Sequence, residues 1–558
     1  MVTTAQFRQA LRVGPPGDIW HKPALSAVVT LGTLNLTLLA LGRLDLALYT
    51  SAGGLGALYG HGLPYRTRAR TLVGVLLGTV LSTAAALTAA ALTRDAVVLV
   101  AVAAGLAALH RLCCDAARIG PPGSLIITFT TASCAFVPQR PADLPPHLAL
   151  TALGAALAWL VCMAPALLRP YGPERIATAR ALEAAARLAR TAPGTPDAAT
   201  RTALVGAVDA ARQSLALSSP ARWRALGDAP ERLLVHAESA LATSAGAAPS
   251  DAAAEPDTAG AAAERYAAWA RDLRRGRPLP LPDLTGAEAA ELRAHRPGPR
   301  PSPRQALGRA VGPGSALLPI ALRVAVGCAA AGWLSLAFGV GRPYWAVVTA
   351  AAVFQANSTL SWQRALQRVL GNLIGLVVFT AALPLAHSGP VAPIGLGLLC
   401  QFGAEATIAR SYWLATAFVT PMALLMTEFA GLQPARTLVA DRWLDTCVGA
   451  LTGLAACLLV TNRRTATRLS RALAGAETAT REARAAVAAV GSEAAAAAAR
   501  SGLAAALLEL REAADAATGE WRRPALPHRR TADTEQHAHH LLAALLERRG
   551  AGARAATP

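Results

Sequence analysis

Three charged residues stand where charge is costly. Arg323 lies one or two turns inside a long apolar stretch, and Glu405 and Asp445 lie inside or at the edge of two others. A charge so placed must pair or meet water. A guanidinium offers a planar fork that matches a carboxylate, so Arg323 is a candidate contact for an organic anion. The rival reading has it reaching back to the interface or to a lipid phosphate. A carboxylate in such a place can take up and release a proton during a transport cycle, which makes Glu405 and Asp445 candidates for proton coupling. Glu405 stands five residues before Arg410 and Asp445 three after Arg442; an interfacial acid and a local helix ion pair are the competing readings.

Around the next apolar stretch cluster Tyr344, Trp345, Gln355, Asn357 and Trp362, with Arg364 and Arg368 just beyond. Aromatics at the ends of a span anchor it at the interface; with the two amides and two arginines they are also candidate ligands for a substrate carboxylate. Gly74 and Gly78, Gly371 and Gly375, and Gly449 and Gly453 place small residues on one helix face, where backbones can approach closely.

Other chemistries find little support. His110, Cys113, Cys114 and Asp115 sit at a span end without a second ligand pair, and His537, His539 and His540 share a tail helix; no metal or other cofactor is expected. No GxxxxGK[ST] loop is present to use ATP, no Ser/His/Asp pattern suggests catalysis, and an enzyme is not expected. The eight cysteines include no CxxC pair and read as small hydrophobes.

The elements that must hold these residues are membrane helices. Of 558 residues, 53% are hydrophobic and 16% charged, too apolar for an ordinary soluble surface. The net charge of +19 comes from arginines, with Lys22 the one lysine, and aromatics are 5%; a nucleic-acid footprint would need a basic face with stacking aromatics. Runs of about 17 to 25 apolar residues span a bilayer. Such runs fall in two clusters of about six, within 24–169 and 315–462. The first apolar run shows no small-residue cleavage site and is read as a retained span.

Residues 1–23 then form an N-terminal segment. Residues 170–314 form a helical domain rich in Ala, Arg and Glu, ending in the Pro-rich linkers Pro278–Pro282 and Arg296–Pro303, and 463–558 form a similar tail. Arginine resists crossing the membrane. Arg66, Arg68, Arg70, Arg111 and Arg118 in the first half, and Arg364, Arg368 and Arg410 in the second, put both termini and both soluble segments in the cytoplasm, with the chain in the inner membrane. An even span count makes the halves parallel repeats. Matching order supports this: Tyr65 with Gly74 and Gly78 parallels Trp362 with Gly371 and Gly375; Leu125, Phe129 and Thr131 parallel Leu414, Phe418 and Thr420; Gly154 and Cys162 parallel Gly449 and Cys457. The expected fold is all-α: two tandem bundles with cytoplasmic helical domains.

The segments Ala321-Leu-Arg323, Tyr344-Trp-Ala-Val-Val-Thr349, Val353-Phe-Gln355, Arg364 to Gly371 and Arg442-Trp-Leu-Asp445-Thr-Cys-Val-Gly449 resemble the fusaric acid resistance and aromatic acid exporter family over about 315–465. The first half resembles it more loosely, with Ser26 where the second half has Arg323. The resemblance implies about twelve spans and efflux of hydroxylated aromatic carboxylates driven by the proton gradient; a more distant likeness is to plant anion channels activated by aluminium. The expected function is secondary export of small aromatic or other organic acids. A passive anion channel and a non-transporting scaffold for a cytosolic partner are the alternatives. Expected partners are the acid and the lipid bilayer, with no nucleic acid; a second copy of the chain, or a periplasmic or cytosolic protein, stays open.

Overall fold

The computed structural model describes residues 4–191, 198–218, 229–244, 256–278, 303–312, 315, 317–355, 357–428, 434–459, 463–488, 493–518 and 528–555. All regular structure among them is helical. The Pro-rich linkers lie almost wholly outside these residues.

After a short α1 (Thr4–Leu11), the first apolar cluster forms α2 (His21–Ala40), α3 (Ala47–Gly54), α4 (Tyr65–Leu92), α5 (Ala96–Ala116), α6 (Leu125–Ala135) and α7 (Leu144–Met163). A short α8 (Pro165–Leu168) leads to α9 (Gly172–Arg190), α10 (Ala198–Ala216), α11 (Ala229–Ser244) and α12 (Pro256–Arg275). After α13 (Pro303–Val311), the second cluster forms α14 (Leu318–Ala337), α15 (Tyr344–Val353), α16 (Ser358–Ala386), α17 (Ala392–Ile408), α18 (Tyr412–Glu428) and α19 (Ala435–Leu459). The tail forms α20 (Arg463–Ala488), α21 (Glu493–Thr518) and α22 (His528–Ala555).

Seven of these helices, α2, α4, α5, α7, α14, α16 and α19, are long and apolar enough to cross a membrane. Four more, α6, α15, α17 and α18, are apolar but shorter. Local sequence explains several ends. Asp95 accepts from the Val97 amide at 2.8 Å and so caps α5, and Asn357 accepts from the Leu360 amide at 2.8 Å to cap α16; each side chain satisfies a donor that the first turn leaves over. Near the second span of the first half, α3 stops after eight residues at Gly53-Gly54 and continues as a 3-10 turn over Leu55–Leu58.

Two compact units result. One comprises residues 1–61, 68–165 and 301–461, and so joins both apolar clusters; the other comprises 62–67, 166–300 and 462–558. In the apolar unit α5 packs on α14 and α2 on α17, each pairing a helix of one cluster with a helix of the other. Ala103, Ala104 and Ala107 of α5 share a core with Val324, Cys328 and Ala331 of α14. Leu77, Leu81, Leu153, Leu322 and Val377 stay more than half exposed, and lipid is the solvent that suits such a surface.

The second unit is an amphipathic helix bundle. Its core draws Leu182, Leu188, Leu204, Leu233, Leu273, Leu503 and Leu542 from helices before and after the second apolar cluster. Its polar face carries ion pairs such as Arg274–Glu183 at 2.6 Å and Arg530–Glu477 at 2.7 Å. Arg530, bonded to Glu477, holds that carboxylate below the usual range.

Candidate functional site: a buried guanidinium pair

Residues Arg364, Arg368 and Asn372 recur every four positions on α16 and so share one face. Arg364 is half-buried and its guanidinium lies 3.9 Å from the centre of the Tyr412 ring. Arg368 is 4% exposed and donates from Nη1 to the Tyr412 hydroxyl at 3.2 Å. Asn372, fully buried, accepts through Oδ1 from the Thr420 hydroxyl at 3.0 Å and from Arg442 Nε at 3.2 Å. Arginine, tyrosine, asparagine and threonine thus form a polar column between α16, α18 and α19, in two bonded groups, one at Tyr412 and one at Asn372.

The column can exist because the backbones are close. A Cβ on Gly371 would collide with the Trp413 carbonyl, and one on Gly375 would lie 2.6 Å from Thr420 Cβ. On α19, a Cβ on Gly449 would lie 2.5 Å from the Ala346 carbonyl and one on Gly453 3.2 Å from Ala350. These four glycines press α16 onto α18 and α19 onto α15, and short distances bring the polar tips together.

Arg442 is the centre. It is 1% exposed and its guanidinium lies 3.7 Å over the Trp345 ring, a cation–π contact favoured where water is absent. Its Nη1 and Nη2 meet no hydrogen-bond acceptor, and neither does Arg368 Nε. One turn along α19, Asp445 accepts a short hydrogen bond through Oδ1 from Ser335 of α14, while Oδ2 is left without a donor. Asp445 is therefore held by Ser335 rather than by Arg442, and the local pair expected from their spacing does not form. Unspent donors on two buried cations cost about 1–3 kcal/mol each, so this arrangement is ill suited to stability alone and well suited to receiving an anion.

The other sequence candidates take varied places. Trp345 is 2% exposed and stacks at 5.5 Å on Phe129 of the first cluster, and Tyr344 lies 5.7 Å from Phe136; both are interior residues, not interface anchors. Gln355 turns its amide back onto the Ala352 and Phe354 carbonyls at 3.3 and 3.0 Å, and Asn357 caps α16, so both serve the turn between helices. Arg323 is half-buried on the second turn of α14. Glu405 is half-buried on α17, where Gln401 donates to it at 3.4 Å.

Gly74 and Gly78 depart from the packing role expected of them. A Cβ on either would meet nothing within 4 Å, because this stretch of α4 faces outward with Val73, Leu77 and Leu81 54–61% exposed. In the first half the close approach is made instead by Gly53 and Gly154, whose added Cβ atoms would collide with the Thr151 and Thr50 carbonyls. His110 is bound between Ser82 at 2.8 Å and Thr128 at 3.1 Å.

The chain is a polytopic helical membrane protein built around an internal charged site. Residues 328–456, which carry most of that site, match the family described as fusaric acid resistance protein-like, and the resemblance read from the sequence is borne out. YvaC, an uncharacterized membrane protein of Bacillus subtilis (strain 168), is 34% identical over 151 residues, 27% of this chain and 24% of that protein. The chain thus matches about a quarter of the length of its curated relative. No solved structure matches the chain.

Proposed function

We propose that the protein is a secondary transporter that exports small aromatic or other organic acids across the inner membrane. The observation that carries this reading is Arg442, a buried guanidinium on an aromatic face with two N–H edges unspent. A carboxylate would take those edges as a fork, Arg368 would add a second cation, and Trp345, Tyr344 and Tyr412 would border the acid's ring. The match of residues 328–456 to a fusaric acid resistance-like family supports an organic acid as cargo.

In this reading residues 24–169 and 315–462 are parallel repeats that rock about the site, with both termini cytoplasmic, an orientation the arginine placement supports. Asp445, one turn from Arg442 and fully buried, is the better placed of the two acids to couple the cycle to protons; Glu405 is the other. Catalysis has no part in it.

Proteoliposomes loaded with labelled benzoate test the reading. Efflux should follow an imposed proton gradient and stop with a protonophore. It should fall to background in Arg442→Gln, and Asp445→Asn should move benzoate without regard to the gradient. Benzoate flux that is equal in wild type and Arg442→Gln would sink the proposal. Currents far above a carrier's turnover would replace it with a channel.

A further inference from the structure

The first half holds a counterpart of the Arg442 site. There Gly154 of α7 meets the carbonyl of Thr50, as Gly449 of α19 meets that of Ala346. The residue before each carbonyl is aromatic, Tyr49 or Trp345, and seven residues before each glycine stands the side chain that covers that ring, His147 or Arg442. The His147 ring stacks on Tyr49 with centroids 3.8 Å apart and planes 10° from parallel; the Arg442 guanidinium lies 3.7 Å over Trp345. An amide completes each: Gln139 donates to the Tyr49 hydroxyl at 2.7 Å and takes a bond from His147 Nδ1 at 2.8 Å, where Asn372 takes one from Arg442.

Because the Gln139 amide nitrogen is spent on Tyr49, its oxygen faces His147, and Nδ1 must be the donor. A neutral ring then leaves Nε2 as an acceptor; a protonated ring turns Nε2 into a second donor bearing positive charge. Tyr49 and Gln139 are buried at 5% and 8% exposure while His147 is partly exposed, so two fixed groups hold a ring that is left open on one side. The charged groups facing it are Asp143, one turn earlier, and Asp45 and Arg43, which pair with each other at 3.2 Å.

We infer that Tyr49, Gln139 and His147 form a second carboxylate subsite, equivalent by repeat to Arg442 on Trp345, that accepts an acid's carboxylate when His147 is protonated. The inference rests on the reading of Arg442 as an anion site. It adds a proton-dependent station to a path whose other station carries a fixed charge, so proton and anion would be taken up together in the first half.

Histidine NMR on the full chain in detergent tests it, with sodium benzoate as the probe and the His147 resonance assigned by its absence in His147→Gln. Saturating benzoate should raise the midpoint of the His147 titration. Benzoate should bind this subsite at least about tenfold more tightly at pH 5.5 than at pH 7.5, since only the protonated ring presents a second, positively charged donor. In His147→Arg the binding should lose that pH dependence. A midpoint unmoved by benzoate overturns the inference, whatever the flux. Should the midpoint move in a protein that transports no benzoate, the transport reading fails and the subsite stands. Should Arg442-dependent flux persist with an unmoved midpoint, the reverse holds.

Discussion

In the first half of the apolar unit an imidazole lies flat on Tyr49, and in the second a guanidinium lies over Trp345. Both hang from a helix whose glycine, seven residues on, touches the carbonyl next to the aromatic residue. The backbone device is common to both, and the chemistry placed on it differs. Small residues that set helix distance are hard to change without losing the fold, whereas the side chains they bring together can be exchanged. His147 is partly exposed with a partner for Nδ1; Arg442 is buried with donors to spare. A titratable group and a permanent charge on equivalent scaffolds suit one molecule to sense protons in one half and hold anions in the other.

The comparison breaks most sharply at the glycines. Gly154→Val and Gly449→Val each drive a side chain into a backbone carbonyl that cannot swing away, and overpacking of this kind costs about 1–3 kcal/mol or more. Each should remove most of the monodisperse protein recovered in detergent, and equal recovery would deny that the two contacts are equivalent.

The next effect separates charge from stability. In Arg442→Met benzoate flux should fall about 100-fold, in line with the roughly 2–5 kcal/mol lost when a buried charged contact is truncated. Its unfolding temperature should hold or rise, since a buried charge replaced by an apolar chain of similar volume is often stabilising. A lower unfolding temperature with full flux would make Arg442 a structural residue.

A third measurement keeps acid effects in the helical unit apart from those at His147. His539, 6% exposed and 3.5 Å from Thr202, has its pKa pushed down to about 4, first by burial and then by Arg201, His540 and Arg511. The folded state therefore binds fewer protons than the unfolded state between about pH 6.5 and pH 4. Stability is full above that window and is lost as pH falls through it, by about 2–3 kcal/mol. Hydrogen exchange of α22 should quicken over this range in the wild type and respond less in His539→Gln. The smallest effect belongs to Gly74→Ala, which should leave recovery unchanged and unfolding stability within about 0.5 kcal/mol of wild type.

Much of this was legible in the sequence, though unevenly. The long spans at α4 and α16 and the Ala, Arg and Glu helices follow from hydropathy and propensity, which are properties of single segments. Trp345, Arg368 and Asp445 could be singled out because polar or aromatic groups in apolar runs are conspicuous. By spacing alone Arg442 looks like a partner for Asp445, since three residues suggest a local pair; tertiary packing gives each a different partner, Asn372 and Ser335. Asn372 and Tyr412 are inconspicuous singly, although the four-residue recurrence of Arg364, Arg368 and Asn372 marks a polar face. Gly74 and Gly78 pack against no helix among the described residues; a GxxxG pattern names a face without saying whether a helix or lipid covers it.

Trp345 lies against both the Phe129 ring and the Arg442 guanidinium, away from bulk solvent. An indole so close to a positive charge emits according to how that charge is compensated, so the molecule carries its own optical reporter. Of the ten tryptophans, this one would register occupancy of the neighbouring cation as a change in fluorescence, without any label being attached.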